Sequence, residues 1–185
     1  MHSWSLVSLL PVIALVSLLP GWSGDSKARE PAQHAELKEV VLEDGDAVEV
    51  TRQFVLPTQS AEPTLVVYVP ATRAAKSCVD QLLEPIVAAG ASIQPLRVIT
   101  ILDLSQTNAV LRWVVRNVYW GSREDNPSEQ VEFWVDETGA TQGWWAMTEP
   151  VCAYTLFHPD RADFTGTGSP SRATTRTLLH RLEID

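Results

Sequence analysis

Two cysteines, Cys78 and Cys152, are the side chains of this sequence best suited to chemistry without a cofactor. Neither has another cysteine within three positions, so a local two-thiol exchange motif is absent. Cys78 follows an apolar run, Leu65-Val66-Val67-Tyr68-Val69, and opens a stretch of helical spacing that Ser77 can cap, with Asp80 three residues on. A thiol in the first turn of a helix lies among unpaired N–H groups and the positive end of the helix dipole, which favour the thiolate. Arg73 and Lys76 act in the same direction and Asp80 opposes them. Three roles stay open for Cys78 at this point: a small apolar packing residue, half of a structural disulfide, or a redox nucleophile.

Other chemistry finds less support. His34, His158 and His180 are far apart in sequence, and Asp160 and Asp163 lack a calcium-loop pattern, so no metal site is expected. Gly166-Thr167-Gly168-Ser169 reads as a loop running into a helix start at Ser169-Pro170 rather than as a phosphate cradle, because no lysine follows it. Asp103 ends a buried strand, at the edge where α/β folds place sites, but without an identifiable partner acid or base it reads as a turn residue or helix cap. Trp134, Trp144 and Trp145 cluster around a turn. Trp144 and Trp145 form a binding surface for a protein or peptide if exposed, and otherwise cover the sheet beneath Trp113 and Trp120. No cofactor is implied.

The compartment decides what a cysteine means. Leu6–Leu19 is an apolar run broken by Ser8, Pro11 and Ser17, and it ends at Pro20-Gly21-Trp22-Ser23-Gly24 before the first charge, Asp25. It is shorter than the ~20 residues of a membrane span and suits a signal peptide, residues 1–23, cleaved after Ser23 with small Gly21 and Ser23 at the recognised positions. The leading segment carries no Lys or Arg, and an uncleaved anchor is the rival reading. Removal of the leader leaves the net charge of -9 unchanged. An acidic chain is a poor partner for nucleic acid or an anionic membrane, and no stable span remains after cleavage. The expected location is periplasmic or secreted, in a bacterial cell envelope.

The elements that must position these residues follow from periodicity. Residues 24–35 are a polar, flexible lead-in, and residues 36–185 form one domain. Glu36–Leu42 and Ala47–Leu56 alternate on either side of Glu43-Asp44-Gly45-Asp46, a hairpin signal. Thr64–Val69 and Arg97–Leu104 are buried strands, separated by a helix with Leu82, Leu83, Ile86 and Val87 on its apolar side and Gly90 at its end. A second helix spans Asn108–Tyr119, with Leu111, Val114, Val115 and Val118 toward the core and Arg112 and Arg116 outside. A polar loop over Gly121–Ser128 leads to strands at Val131–Val135 and Val151–Phe157, and a last helix carries Leu178, Leu179 and Leu182. The order is a hairpin, then β-α-β-α-β-β-α, an α/β fold with a central mixed sheet whose closing β-β-α adds antiparallel edge strands.

That order resembles a thioredoxin-like domain. Pro85 lies seven residues after Cys78, close to the spacing between the first active-site cysteine and the helix proline of thioredoxins. Pro150 precedes the last strand where that fold carries a cis-proline. Gln130-Val131-Glu132-Phe133-Trp134-Val135-Asp136-Glu137-Thr138-Gly139, the following tryptophans, an apolar strand and a terminal helix resemble the YtfJ-like family of bacterial periplasmic proteins. That resemblance implies a thioredoxin-like fold without the two-cysteine motif, and no catalytic residue is carried over. His158-Pro159-Asp160-Arg161 departs from it, standing where an Asp-x-Asp-Gly turn is typical. In such a fold Cys152 enters beside the first helix, which allows a bond to Cys78 or a role as resolving thiol. The function that follows is an exported, monomeric, non-catalytic binding or accessory module. The alternative is a thiol-dependent oxidoreductase or peroxidase-like protein using Cys78 with Cys152, although Ala74-Ala75-Lys76-Ser77-Cys78 lacks the proline that usually precedes a peroxidase cysteine.

Overall fold

The chain enters its sheet through a hairpin. β1 (His34–Glu43) and β2 (Asp46–Val55) pair antiparallel along their whole length, from His34 opposite Val55 to Glu43 opposite Asp46. Asp44 and Gly45 between them both have positive φ, the mirror-image turn whose twist suits paired strands. The structure, a computed structural model, describes residues 33–89, 96–125, 131–145 and 152–182. The leader, most of the lead-in, Gly90 and Pro150 lie outside these residues.

Three strands form the parallel part of the sheet: β3 (Thr64–Pro70), β4 (Arg97–Asp103) and β5 (Val131–Asp136). α1 (Arg73–Ala89) joins β3 to β4, and α2 (Ala109–Asp125) joins β4 to β5. Both crossovers step the same way across the sheet, and a right-handed connection then places both helices on one face. Leu82 and Ile86 of α1 accordingly pack with Leu65 and Val67, while Val115 and Tyr119 of α2 pack with Leu102 and Phe133. β6 (Ala153–Phe157) pairs antiparallel with β3, and β7 (Phe164–Thr167) antiparallel with β6. α3 (Arg172–Arg181) then returns to the helical face through Leu178 and Leu182.

The seven strands lie in the order β2-β1-β5-β4-β3-β6-β7. Within it, β4-β3-β6-β7 has one parallel and two antiparallel neighbours and is wound β-α-β, then β-β-α, which is the thioredoxin-like arrangement. The fold is therefore thioredoxin-like, extended on one side by β5 and the hairpin.

Several boundaries and neighbours differ from the sequence reading. The antiparallel closing pair is β6 with β7, whereas β5 lies parallel beside β4. β7 escaped the reading because Phe164-Thr-Gly-Thr is a short edge strand with every second residue exposed. Gly166 is needed there: a β-carbon would overlap the Tyr154 ring. α3 is capped by Ser171, whose hydroxyl accepts from the Thr174 N–H at 3.1 Å, two residues beyond the expected start. α2 continues through Gly121 to Asp125 instead of ending at Tyr119.

The largest correction concerns which side of α2 faces inward. Arg112, Val115, Arg116, Tyr119 and Trp120 turn toward the sheet, while Leu111, Val114 and Val118 are exposed. The hairpin supplies the reason. It carries Lys38 and Glu49 under the helix, and Arg116 forms a forked pair with Glu49 and a second bond to Glu137 at 2.9 Å. Lys38 completes the cluster, 2.9 Å from Glu137 and 3.4 Å from Glu49. A forked arginine–carboxylate pair is strong and directional, so it fixes the rotation of the helix. Tyr119 reaches past it and donates to the Thr100 carbonyl at 2.8 Å. Arg116→Ala is expected to lower stability by about 2 kcal/mol, because it leaves two partly buried carboxylates short of a partner. Urea denaturation measures this, and a change below about 0.5 kcal/mol would show that the cluster does not hold the helix.

Candidate functional site

The two cysteines meet. Cys78 and Cys152 are joined by a disulfide, their α-carbons 6.3 Å apart across a sequence separation of 74. β3 and β6 bring this about: Tyr68 pairs with Ala153, which sets Cys152 beside the end of β3, where the chain turns into α1.

Cys78 does not occupy a helix N-terminus, and Ser77 is not its cap. α1 starts at Arg73, where the Thr72 hydroxyl accepts from the Ala75 N–H at 3.1 Å. Cys78 is therefore in the second turn, where its neighbours' N–H groups are already used within the helix and the dipole field is weaker. Pro85 lies in the same helix, seven residues on. Cys78 and Cys152 are 2% and 1% exposed and pack with Ala75 and Val69. The Gly168 carbonyl oxygen covers the bond from the remaining side, 3.1 Å from Sγ of Cys78 and 3.5 Å from Sγ of Cys152. The Gly168 N–H donates to the Cys152 carbonyl at 2.7 Å, which holds that lid in place. Thiol–disulfide exchange needs an incoming thiolate to reach a sulfur. Here both sulfurs are enclosed, and the bond cross-links α1 to the start of β6.

A second set of polar residues lies along the carboxyl edge of the parallel strands. Register places Pro70, Asp103 and Asp136 side by side. Asp103 is buried; its carboxylate accepts from the Tyr68 hydroxyl and, at 2.8 Å, from the Ser105 N–H. It serves as a turn residue, in keeping with the sequence reading, and also as the partner of a core tyrosine. Burial, and then the bond to Asp103, raises the Tyr68 phenol far above its ordinary pKa.

Asp136 organises the turn that follows β5. Its Oδ1 accepts from the N–H groups of Thr138, Gly139 and Ala140 and from the Thr138 hydroxyl, and its Oδ2 from the N–H and hydroxyl of Thr141. Burial pushes its pKa up, but the bonds from Thr141, Thr138 and Gly139 outweigh that and hold it below the ordinary value. Gly139 has a φ of 79°, a conformation glycine adopts without strain. Asp136 and Gly139 thus give physical meaning to the Phe133-x-Val135-Asp136-x-x-Gly139 pattern: it is a structural turn. Thr141 was the partner that spacing did not single out, although Asp136-x-Thr138-Gly139-x-Thr141 carries the signal.

The tryptophans are on the face opposite the helices. Trp145 is buried, tilted over Tyr68 with ring centroids 5.1 Å apart, and its indole N–H donates to Thr155 at 3.1 Å. Trp144 is half-buried and stacks on Phe54 at 5.8 Å, while Trp134 meets the same ring edge-on at 4.9 Å. What surface the Trp144–Trp145 pair offers is therefore mainly that of Trp144. The three therefore cover the sheet, but not beneath Trp113 and Trp120, which belong to α2 on the other face.

No family model and no curated protein matches the chain. Solved structures do resemble it. The exposed lipoprotein thioredoxin Etrx1 of Streptococcus pneumoniae is 13% identical over 79% of this chain and 99% of its own, with a TM-score of 0.48. DsbF of Mycobacterium tuberculosis is 13% identical over 78% and 92%, with a TM-score of 0.46. A secreted M. tuberculosis disulfide oxidoreductase homologous to Escherichia coli DsbE is 10% identical over 78% and 93%, also at 0.46. The fold assignment stands on strand order and direction, and likenesses at this level add no argument about activity. Among the described residues no helix is long and apolar enough to cross a membrane.

Alkylation of the isolated protein under denaturing, non-reducing conditions is expected to add no label at monomer mass; two labels would mean that the cross-link is absent. Replacing both cysteines by serine is expected to cost roughly 4 kcal/mol on the chain-entropy account of so long a loop. Asp136→Ala is expected to cost about 3 kcal/mol, since several buried donors lose their acceptor. Because the folded pKa of Asp136 is depressed, its contribution is fully present above the unfolded carboxylate pKa and lost as pH falls through the folded value. The gap between wild type and Asp136→Ala should therefore narrow in acid, and a gap independent of pH would contradict this role.

Proposed function

We propose that this protein is an exported thioredoxin-fold module of the cell envelope, related to the YtfJ-like proteins, in which Cys78 and Cys152 act as a staple and the chain binds a protein or peptide partner without catalysing redox chemistry. The single observation that carries this reading is the enclosure of both sulfurs beneath Ala75, Val69 and the Gly168 carbonyl. A redox thioredoxin site needs one sulfur open to an incoming thiolate at a helix N-terminus; here the cysteine lies one turn deeper and sealed.

Export is supported by the apolar leader of residues 6–19 with its small-residue cleavage signal, and by a disulfide of a kind that persists in oxidising compartments. The acidic balance supports a protein partner over nucleic acid. Redox use of the pair, with Cys78 as nucleophile and Cys152 as resolving thiol, draws on the same proximity but requires the Gly168 segment to lift away.

Reduction of insulin by dithiothreitol separates the two. Addition of the protein is expected to leave the rate at background, and Cys78→Ser to make no difference. Multiple turnovers that disappear in Cys78→Ser would establish the oxidoreductase and end the module reading.

A further inference from the structure

The outward side of α2 is unlike the rest of the surface. Val110, Trp113 and Val118 are 75%, 66% and 62% exposed, and Leu111 and Val114 are exposed beside them. The charges of the middle of the helix, Arg112 and Arg116, turn the other way, and Arg116 is held by Glu49 and Glu137. Next to this ridge a groove of about 810 Å³ runs between α1 and α2. Val79 and Leu83 form one wall, Leu111 and Val118 the other, and Val69 and Leu102 belong to the floor.

We propose that this face is the interface of a homodimer, in place of the monomer expected from the sequence, in which the α2 ridge of each copy lies along the α1–α2 groove of the other. This inference is independent of whether the disulfide is catalytic.

Self-complementarity selects a second copy as the occupant. A two-fold interface must present both a projection and the depression that receives it on one patch, and the ridge and groove meet that condition along a shared helix. Size agrees as well. The five exposed side chains, three of which also line the groove, amount to roughly 500 Å² of apolar surface, at the upper end of the largest patch on a typical monomer, and the groove floor and its α1 wall extend this toward the about 800 Å² that one partner gives a standard interface. Charge is the third argument. Each copy carries a net charge of -9, so two copies repel except across a surface without charge, and the middle of the α2 ridge is such a surface.

Other occupants fit less well. A small-molecule site needs a few polar anchors, yet the Thr72, Thr100 and Ser122 hydroxyls of this groove are engaged by the Ala75 N–H, Tyr119 and the Val118 carbonyl, which leaves Asp80 as the remaining polar side chain of its lining. An anionic bilayer is opposed by the net charge.

Sedimentation velocity of the purified protein over an about hundredfold concentration range tests the proposal. Wild type is expected to pass from monomer to dimer. Val114→Asp and Val118→Asp are each expected to raise the dissociation constant at least ~100-fold, since charge is excluded from interface cores. Far-UV circular dichroism should stay unchanged, because both positions are exposed. Trp113→Arg, on the ridge but outside the groove, serves the same purpose if a groove variant unfolds. A wild type that stays monomeric throughout overturns the proposal. So does a dimer that all three substitutions leave intact, because its contact would then lie elsewhere.

Discussion

Every element of this fold takes its place from the double burial of β3. Leu65 and Val67 face the helices, and Val66 and Tyr68 face the aromatic side, all at 1% exposure or less. A strand apolar on both faces is stable only in the middle of a sheet, with both of its edges paired and both of its faces covered. β4 and β6 occupy the edges, parallel and antiparallel. The helices cover one face, and Phe54, Trp134, Trp144 and Trp145 close the other without a long helix. Tyr68 spans this requirement and the site: its ring lies under Trp145, and its hydroxyl is satisfied only because Asp103 ends the neighbouring strand at the right height.

The same arrangement explains how two cysteines far apart in sequence become one cross-link. β6 must lie against β3, and α1 must begin where β3 ends, so Cys152 and Cys78 are delivered to each other by the sheet. Cys78 stands one helical turn in from the start of α1. Because Thr72 caps the helix early, the cysteine that would otherwise meet solvent is carried inward, and the β7–α3 connection closes over it through Gly168. A bond placed this way restrains the unfolded chain and locks α1 to the sheet.

Periodicity made the hairpin, β3, β4 and the existence of all three helices legible, because each rests on a local pattern of alternation or of helical spacing. The turn at Asp44-Gly45 and the Asp136–Gly139 turn were legible for the same reason. What sequence left hidden was decided by distant partners. Ser77 and Thr72 are both competent caps, and only the closeness of Thr72 to the end of β3 selects it. β7 has too few apolar residues to announce a strand, and it exists because β6 offers an open edge. The meeting of Cys78 and Cys152 followed from fold resemblance alone, and the sealing of the pair by Gly168 had no local signal.

α2 makes the point most sharply. Its sequence carries two stripes of nearly equal claim, Leu111-Val114-Val118 and Arg112-Val115-Arg116-Tyr119, and hydrophobicity alone favours burying the first. Glu49 of the hairpin and Glu137 just after β5 reverse that preference, because together with Lys38 they form a partly buried cluster that Arg116 completes, and a partly buried carboxylate left short of a partner costs more than an exposed valine. Once α2 is anchored over the hairpin, and α1 is anchored beside β6 by the disulfide, the two helices are held toward opposite edges of the same face of the sheet. The strip of β3 and β4 between them is then left as the floor of a groove. The exposed ridge and the groove are thus not independent oddities: both follow from the two tethers that draw the helices apart.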